Sequence, residues 1–71
     1  MSESVYRVTE VIGTSPDSWD AAARNAVQTA ARTIRDLRVA EATRFDVTVS
    51  EGNITSYRVR LDISFKYESG D

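Results

Sequence analysis

Residues 57–67 alternate apolar and polar side chains without interruption, and this pattern constrains the fold more than any other part of the chain. A period of two over this length indicates a β-strand with one apolar and one charged face. One helix can cover the apolar face, whereas the charged face and the strand edges need water, a ligand or further copies of the chain. The apolar face consists of Tyr57, Val59, Leu61, Ile63, Phe65 and Tyr67.

The length of 71 residues predicts a single domain over residues 1–71 with a small core. The chain has no cysteine and no histidine. Disulfides and thiolate metal sites are therefore excluded, and so are the commonest general base and the commonest transition-metal ligand. Because a core of this size rarely supplies more than about 3–5 kcal/mol, self-association is the leading remaining source of stability.

The charge balance predicts neither a nucleic-acid nor a membrane partner. Nine basic and eleven acidic residues give a net charge of −2, which attracts neither nucleic acid nor an anionic membrane strongly. The N-terminus has no apolar signal region, and no stretch approaches the roughly 18 apolar residues of a membrane span. We therefore expect a cytoplasmic protein.

The first half of the chain predicts a strand followed by an amphipathic helix. Residues 5–12 are rich in β-branched side chains, and Gly13 ends the run. Ser15 is the expected N-cap, with Pro16 at the first helical position. Apolar residues then recur at helical spacing to about Arg35, which predicts about five turns. The apolar stripe is mostly alanine, so the strands must supply the large core side chains.

The second half predicts a β-hairpin. Residues 39–49 form a second strand, with Val39 and Glu41 on the same, more apolar side. A turn follows in which Gly52 and Asn53 can both adopt positive φ. The predicted fold class is α+β with the order β-α-β-β: a three-stranded antiparallel sheet curls around one helix, and the first strand pairs beside the third.

An enzymatic function is not expected, because no histidine is present to activate a serine or threonine nucleophile. Glu10 and Glu41 fall on strands where a carboxylate could act as an acid or a base. Pairing of each with an arginine in a subunit contact is the favoured interpretation of these positions.

Three further side chains are candidates for ligand binding. Trp19 lies on the apolar stripe in the first helical turn, which favours a core anchor over stacking on a ligand. Arg58 and Arg60 alternate beside Asp62, which is more typical of an ion-paired sheet surface than of a phosphate strip. A nucleic-acid module built on these arginines lacks the expected net charge and exposed aromatic residues.

Five segments stand in a specific order and spacing along the chain: Tyr6-Arg7-Val8, Ile12-Gly13-Thr14-Ser15, Ser18-Trp19-Asp20-Ala21-Ala22-Ala23, Ala40-Glu41 and Ser64-Phe65-Lys66. In this order they resemble the dodecin family over residues 5–67. The resemblance implies a β-α-β-β protomer that assembles into a hollow homododecamer and binds small molecules without catalysis. Most members take up flavins as pairs near twofold axes and are thought to store or buffer them.

The resemblance places the cofactor site at Val39, Glu41 and Arg58. Flavin-binding members carry a stacking tryptophan before the Ala-Glu pair and a glutamine after the aromatic residue of the last strand, whereas this chain has Val39 and Arg58 there. Valine has no π face, and arginine cannot accept a hydrogen bond. The site is therefore expected to bind an anionic or phosphorylated cofactor in place of flavin.

An alternative hypothesis is a cation-binding or purely structural assembly. The segments Gly13-Thr14-Ser15-Pro16 and Ser18-Trp19 are closer to the calcium dodecin branch of the family. No motif in the chain identifies metal ligands, and one turn offers far fewer oxygen atoms than the roughly 6–8 that calcium takes. Under this hypothesis, carboxylates from several copies meet around symmetry axes, and the candidates are Glu10, Glu41, Asp46 and Asp62.

Overall fold

The computed structural model describes residues 5–66 as three strands and one helix. In chain order these are β1 (Tyr6–Ser15), α1 (Trp19–Ala31), β2 (Leu37–Ser50) and β3 (Asn53–Lys66). The strands form one sheet in the order β1-β3-β2, and both outer strands run antiparallel to β3. The predicted β-α-β-β fold is confirmed, including the return of the first strand to the third; Tyr67 lies outside the described residues.

The core lies between α1 and one face of β3. Val59, Leu61 and Ile63 are buried there together with Ala22 and Ala26 of the helix. These three strand residues alternate along β3, as a strand with one covered face requires. Since the helix contributes alanines, the strand supplies the bulk of the core, as the sequence pattern predicts.

The helix begins later than the sequence predicts. Ser18 is the N-cap, with an extended backbone and a side-chain oxygen that accepts the Ala21 amide at 3.0 Å. The prediction of Ser15 as N-cap is wrong because β1 extends that far and pairs Ser15 with Tyr57. The Ser15 hydroxyl instead accepts the amide of Asp17 at 2.9 Å, which shapes the turn that leads into the helix.

The helix also ends earlier than predicted, at Ala31 rather than near Arg35. The amides of Thr33 and Ile34 both donate to the carbonyl of Ala30, so the chain tightens into a turn. No helix within residues 5–66 has the length and the apolar character that crossing a membrane requires.

A bulge at Thr43 changes which residues of β2 face the helix. The register passes from Ala42 opposite Leu61 to Arg44 opposite Arg60, so Thr43 is an extra residue without a partner position. Its hydroxyl donates to the carbonyl of Arg60 at 3.2 Å. Unbroken alternation along β2 would place Val39 and Glu41 on the same face as Phe45. Because of the bulge, they lie on the other face of the sheet.

The placement of Glu41 on the more apolar side is accordingly wrong. Ala40 is paired with the buried Ile63 and faces α1, so its neighbours Val39 and Glu41 point to the other face of the sheet. After the bulge, Phe45 lies opposite the buried Val59, on the helix side, as the prediction for the later half of the strand requires.

A tight two-residue turn joins β2 to β3. Glu51 and Gly52 have positive φ values of 52° and 79°, as hairpin turns of the primed types need. The predicted hairpin is present, and of the two residues able to adopt positive φ only Gly52 does so, because Asn53 already pairs with Ser50 as the first residue of β3.

The protomer buries little apolar surface for its size. Only five apolar residues are buried within residues 5–66, whereas nine large ones are exposed. The radius of gyration is 14.8 Å, compared with about 11 Å expected for a compact chain of this length. The exposed apolar residues are Val5, Tyr6, Val8, Ile12, Trp19, Val39, Phe45, Val49 and Ile54.

We predict that Gly13→Ala destabilises the fold by about 3 kcal/mol or more, the upper end of the cost of overpacking, because the clash is with backbone atoms. A methyl group at Gly13 would lie 2.1 Å from the carbonyl oxygen of Ala22 and 2.8 Å from the Ala26 methyl group. Urea unfolding followed by circular dichroism measures the loss. Gly52→Ala serves as the control, because a Cβ added at Gly52 meets no atom within 4 Å. This substitution costs only the strain of an alanine at positive φ, about 1–2 kcal/mol. A smaller loss at Gly13 than at Gly52 would contradict the close approach of helix and strand.

Candidate binding site on the outer face of the sheet

The face of the sheet turned away from α1, called the outer face below, carries most of the predicted site residues. On β3 it presents Arg58, Arg60, Asp62 and Ser64, because the residues between them are buried under the helix. The helix packs on the opposite side, so no element within residues 5–66 covers this face. It is therefore an open surface of the protomer on which a ligand or a second copy can lie.

The outer face is organised in rows that cross the three strands. Glu10 and Glu41 both lie opposite Asp62, which gives an acidic row of three carboxylates. Like charges directly opposite each other across strands are destabilising. The acidic row therefore favours any positive charge that approaches it.

The next row, called the arginine row, contains Ile12, Arg60 and Arg44. Arg60 lies opposite both of the other residues in the ladder. Arg60 also reaches back to Glu10, with Nη1 3.5 Å from the carboxylate oxygen. At this distance and exposure the ion pair contributes little to stability, so it leaves much of the charge pattern of the two rows uncompensated.

Arg58 is held by a bidentate ion pair with Asp46. Its Nε donates to Oδ1 at 2.7 Å and its Nη2 donates to Oδ2 at 3.0 Å, with the two residues directly opposite each other on β3 and β2. The hydrogen bond from Arg58 holds the pKa of the Asp46 carboxyl below its usual range, with smaller contributions from nearby arginine charges. The same pair raises the pKa of Arg58. Both groups thus stay charged while their net charge cancels.

Asp46 is the partner that sequence patterns alone do not assign to Arg58. The two residues lie at nearly equal distances from the turn at Glu51 and Gly52. Opposite charges at matched distances from a hairpin turn are the signal that could have identified the pair.

Val39, Glu41 and Arg58 share the outer face but do not meet within one chain. Val39 lies opposite Ser64, six positions along β3 from Arg58. At roughly 3.3 Å per residue, this places the two rows about 20 Å apart. A pocket that uses both Val39 and Arg58 consequently needs side chains from a second copy.

Trp19 forms an aromatic cluster on the helix side of the sheet. Its ring meets Tyr57 edge-on at 5.1 Å and Phe45 at 6.0 Å, and its Nε1 donates to the carbonyl of Asp46 at 3.1 Å. The ring anchors the helix start to the hairpin, although 39% of the residue remains exposed. It lies on the face opposite to Arg58 and takes no part in the outer-face site.

Two grooves flank the helix and are lined mainly by small or apolar groups. One, of about 310 Å³, lies between α1 and β1 beside Ile12 and Gly13. The other, of about 560 Å³, lies between α1 and β2 beside Val27 and Ala40. Neither contains Val39, Glu41 or Arg58, so the candidate site stays on the outer face.

We predict that Arg58→Gln raises the pKa of Asp46 toward its usual value, because the hydrogen bond from Arg58 is the largest cause of its depression. A depressed carboxyl pKa stabilises the fold above the ordinary carboxyl range, and this contribution disappears as the pH falls through the lowered value. The stabilities of wild type and variant should therefore converge in acid. Carboxyl-carbon NMR titration and urea unfolding measure the two effects.

Arg44→Gln is the matched control for this titration. Arg44 influences Asp46 only through a smaller charge attraction, so it should shift the pKa less than Arg58→Gln does. An Asp46 pKa that stays equally depressed without Arg58 would disprove the assigned cause.

Comparison with known proteins gives one consistent family. The family model "Dodecin" matches residues 5–68. The chain is 46% identical over 63 residues to a protein named "Calcium dodecin" from Mycobacterium tuberculosis, which covers 89% of each chain. A second relative, named "Dodecin", from Thermus thermophilus, is 33% identical over 64 residues and covers 90% of this chain and 93% of the relative.

Solved structures agree with these sequence relatives. The dodecin from Streptomyces coelicolor superposes with a TM-score of 0.91 at 43% identity, covering 99% of this chain and 100% of the other. The calcium dodecin of Mycobacterium tuberculosis, described as having a novel calcium-binding site, gives a TM-score of 0.80 at 44% identity over 94% and 96% of the two chains. With the matched family model, the shared topology and these identities, the chain belongs to the dodecin family.

Proposed function

We propose that the protein is a non-enzymatic, homododecameric cage that binds a small molecule on the outer face of its sheet. The observation that carries this proposal is that Val39, Glu41 and Arg58 all project from the same uncovered face. Membership of the dodecin family supports the assembly. The nine large apolar residues exposed within residues 5–66 support it independently, since contact between copies would bury many of them.

The proposed pocket forms between copies. Because Val39 and Arg58 lie about 20 Å apart along one sheet, one copy supplies Val39 and Glu41 while another supplies Arg58. Val39 is 57% exposed, so its side chain is free to cover a ligand or a neighbouring protomer. The pocket then has one apolar wall and one polar wall, as small-molecule sites commonly do.

The side chains present do not fit a flavin. Stacking on the ring system would need an aromatic group at Val39, and two-way recognition of the ring edge would need an acceptor at Arg58. The Asp46 carboxylate accepts two hydrogen bonds from Arg58 and has no donor of its own, so it does not replace the two-way recognition of an amide. No step of the proposed function therefore depends on a flavin.

The ligand that fits better offers oxygen acceptors, such as a phosphorylated or otherwise anionic small molecule. The bidentate pair uses one N–H of Nε and one of Nη2, which leaves three of the five guanidinium donors for a ligand. Asp46 cancels the charge of Arg58 without blocking these donors. The pocket thus recognises the oxygen atoms of such a ligand mainly through hydrogen bonds from Arg58, and the attraction between net charges adds less.

We predict that wild-type protein quenches riboflavin fluorescence only weakly, whereas Val39→Trp combined with Arg58→Gln gains clear quenching. The substitutions restore the missing stacking face and the missing amide. Fluorescence titration at constant riboflavin concentration measures the difference. Val8→Trp combined with Arg58→Gln is the matched control, because Val8 lies in the same row at the opposite edge. Strong quenching by wild type, or equal gains in both variants, would overturn the assignment of Val39 to the pocket.

A second candidate function is calcium or other cation binding. The specific observation in its favour is the acidic row of Glu10, Asp62 and Glu41, together with 46% identity to a relative named for calcium. Carboxylates are the ligands that calcium prefers. Within residues 5–66, however, no group of three acidic side chains is close enough to hold a metal ion, so the ligands must come from several copies.

For this candidate we predict that millimolar calcium raises the melting temperature, since a ligand bound only by the native state stabilises it by mass action. Asp62→Asn should reduce the shift because Asp62 is the centre of the acidic row. Asp36→Asn is the control, an equal charge change in the loop before β2. The absence of any calcium shift in differential scanning fluorimetry would leave small-molecule binding or a purely structural assembly.

A further inference from the structure

We infer that Thr43 is a positioning residue of the proposed binding site, because the bulge that its hydroxyl holds turns Val39 and Glu41 toward the outer face. Thr43 acts through these two side chains and not by contact with a ligand. This role rests on the proposed function, since it belongs to the same site.

Residues 39–42 of β2 lie between two breaks in the ladder with β3. The register shifts at Arg38 and again at Thr43, and each of these is an extra residue without a partner position. Between the breaks, the even-numbered residues face the helix. On either side of them, odd-numbered residues such as Leu37 and Phe45 do so. The side chains of residues 39–42 are therefore reversed relative to the rest of the strand.

A regular register is the alternative that the bulge excludes. If the pairing after Thr43 continued without a break, Glu41 would lie opposite the buried Ile63. Because the side-chain period of a strand is two, this slip by one position would turn Glu41, and with it Val39, toward the helix. The outer face would then present two alanines in their place.

Two features favour the regular register. It would restore an unbroken ladder at the bulge. It would also find space for larger side chains, because a groove of about 560 Å³ lies between α1 and β2 and is lined by Ala40 and Ala42. The bulged register therefore depends on contacts that the regular register lacks.

The Thr43 hydroxyl supplies one such contact, since it donates to the carbonyl of Arg60 at 3.2 Å. In the regular register Thr43 would instead lie opposite the buried Leu61, on the helix side. A hydroxyl and the Glu41 carboxylate would both lose free energy by moving toward apolar surroundings. The hydrogen bond and the charge of Glu41 consequently act in the same direction, and both keep the bulge at Thr43.

The bulge controls one wall of the proposed pocket and leaves the other unchanged. Arg58 and Asp46 pair beyond the bulge and keep this pairing in either register. Only Val39 and Glu41 exchange faces. Loss of the bulge should therefore remove the apolar wall of the pocket while the bidentate ion pair persists.

Cross-strand disulfides measure the register directly, because the chain has no cysteine of its own. In the bulged register position 39 lies opposite Ser64, whereas in the regular register position 40 would do so. Directly opposite residues are close enough for a disulfide. With Thr43 present, we expect diamide to oxidise the cysteines of V39C/S64C and to leave those of A40C/S64C free.

Thr43→Val keeps the shape of the side chain and removes the hydroxyl, so it should reverse this preference. Thr43→Ser retains the hydroxyl and should preserve the wild-type pattern. Thr9→Val is the matched control, since it makes the same change in the unbroken ladder of β1. Thiol titration measures the oxidised fraction, and non-reducing electrophoresis shows that the bond lies within one chain.

Deletion of Thr43 keeps the test decisive if Thr43→Val does not fold, which circular dichroism reports. The deletion removes the extra residue together with its hydroxyl, so position 39 should still face Ser64. A Thr43→Val variant that still joins positions 39 and 64, or a deletion variant that joins 40 and 64, would overturn the inference.

Ligand binding distinguishes a positioning role from a purely structural one. In the V39W/R58Q background, Thr43→Val should abolish the gain in riboflavin quenching, whereas Thr43→Ser should retain it. Unchanged quenching despite a changed disulfide pattern would refute the positioning role. If V39W/R58Q itself gains no quenching, the proposed pocket fails, while the disulfides still decide whether Thr43 sets the register.

Discussion

The rest of the structure depends on the alternation of β3, which is the central strand and the ladder partner of both others. One set of its side chains, centred on Leu61, is sealed by an alanine-rich helix and provides most of the core volume. The other set carries charge and remains uncovered. The strand therefore determines both the core and the outer face. A shift of its register by one position would move its apolar side chains to the outer face and its charged side chains under the helix.

The outer face combines ionic groups with exposed aliphatic side chains, and this combination suits contact between copies better than either kind alone. The Arg58–Asp46 pair is bidentate and directly cross-strand, whereas the contact of Arg60 with Glu10 is long. The charges next to the strong pair are held less firmly within the protomer and are therefore more available to a ligand or to a further copy. The two functions that we propose, small-molecule binding and cation binding, thus use the same surface, and in the first of them Val39 and Arg58 are the residues proposed to select the ligand.

The sequence was sufficient for the element order, the hairpin and the central place of the last strand, because these follow from long periodic patterns. It was insufficient where a single residue interrupts a pattern. Ser15 has good N-cap chemistry, but continued pairing with Tyr57 overrides it. No glycine, proline or other turn residue marks the bulge at Thr43, so simple alternation places Glu41 on the wrong face. The bidentate role of Asp46 emerges only once the hairpin register is known.

The close approach of Gly13 to Ala22 and Ala26 limits the thickness of the protomer. A helix faced with alanine, lying on a strand with no side chain at that point, makes a protomer that is only one sheet and one thin helix deep. The extents of 55, 20 and 13 Å describe a slab. In the cage that we propose, slabs of this kind placed side by side give a thin wall, so the 71 residues of each copy form mostly surface and little interior.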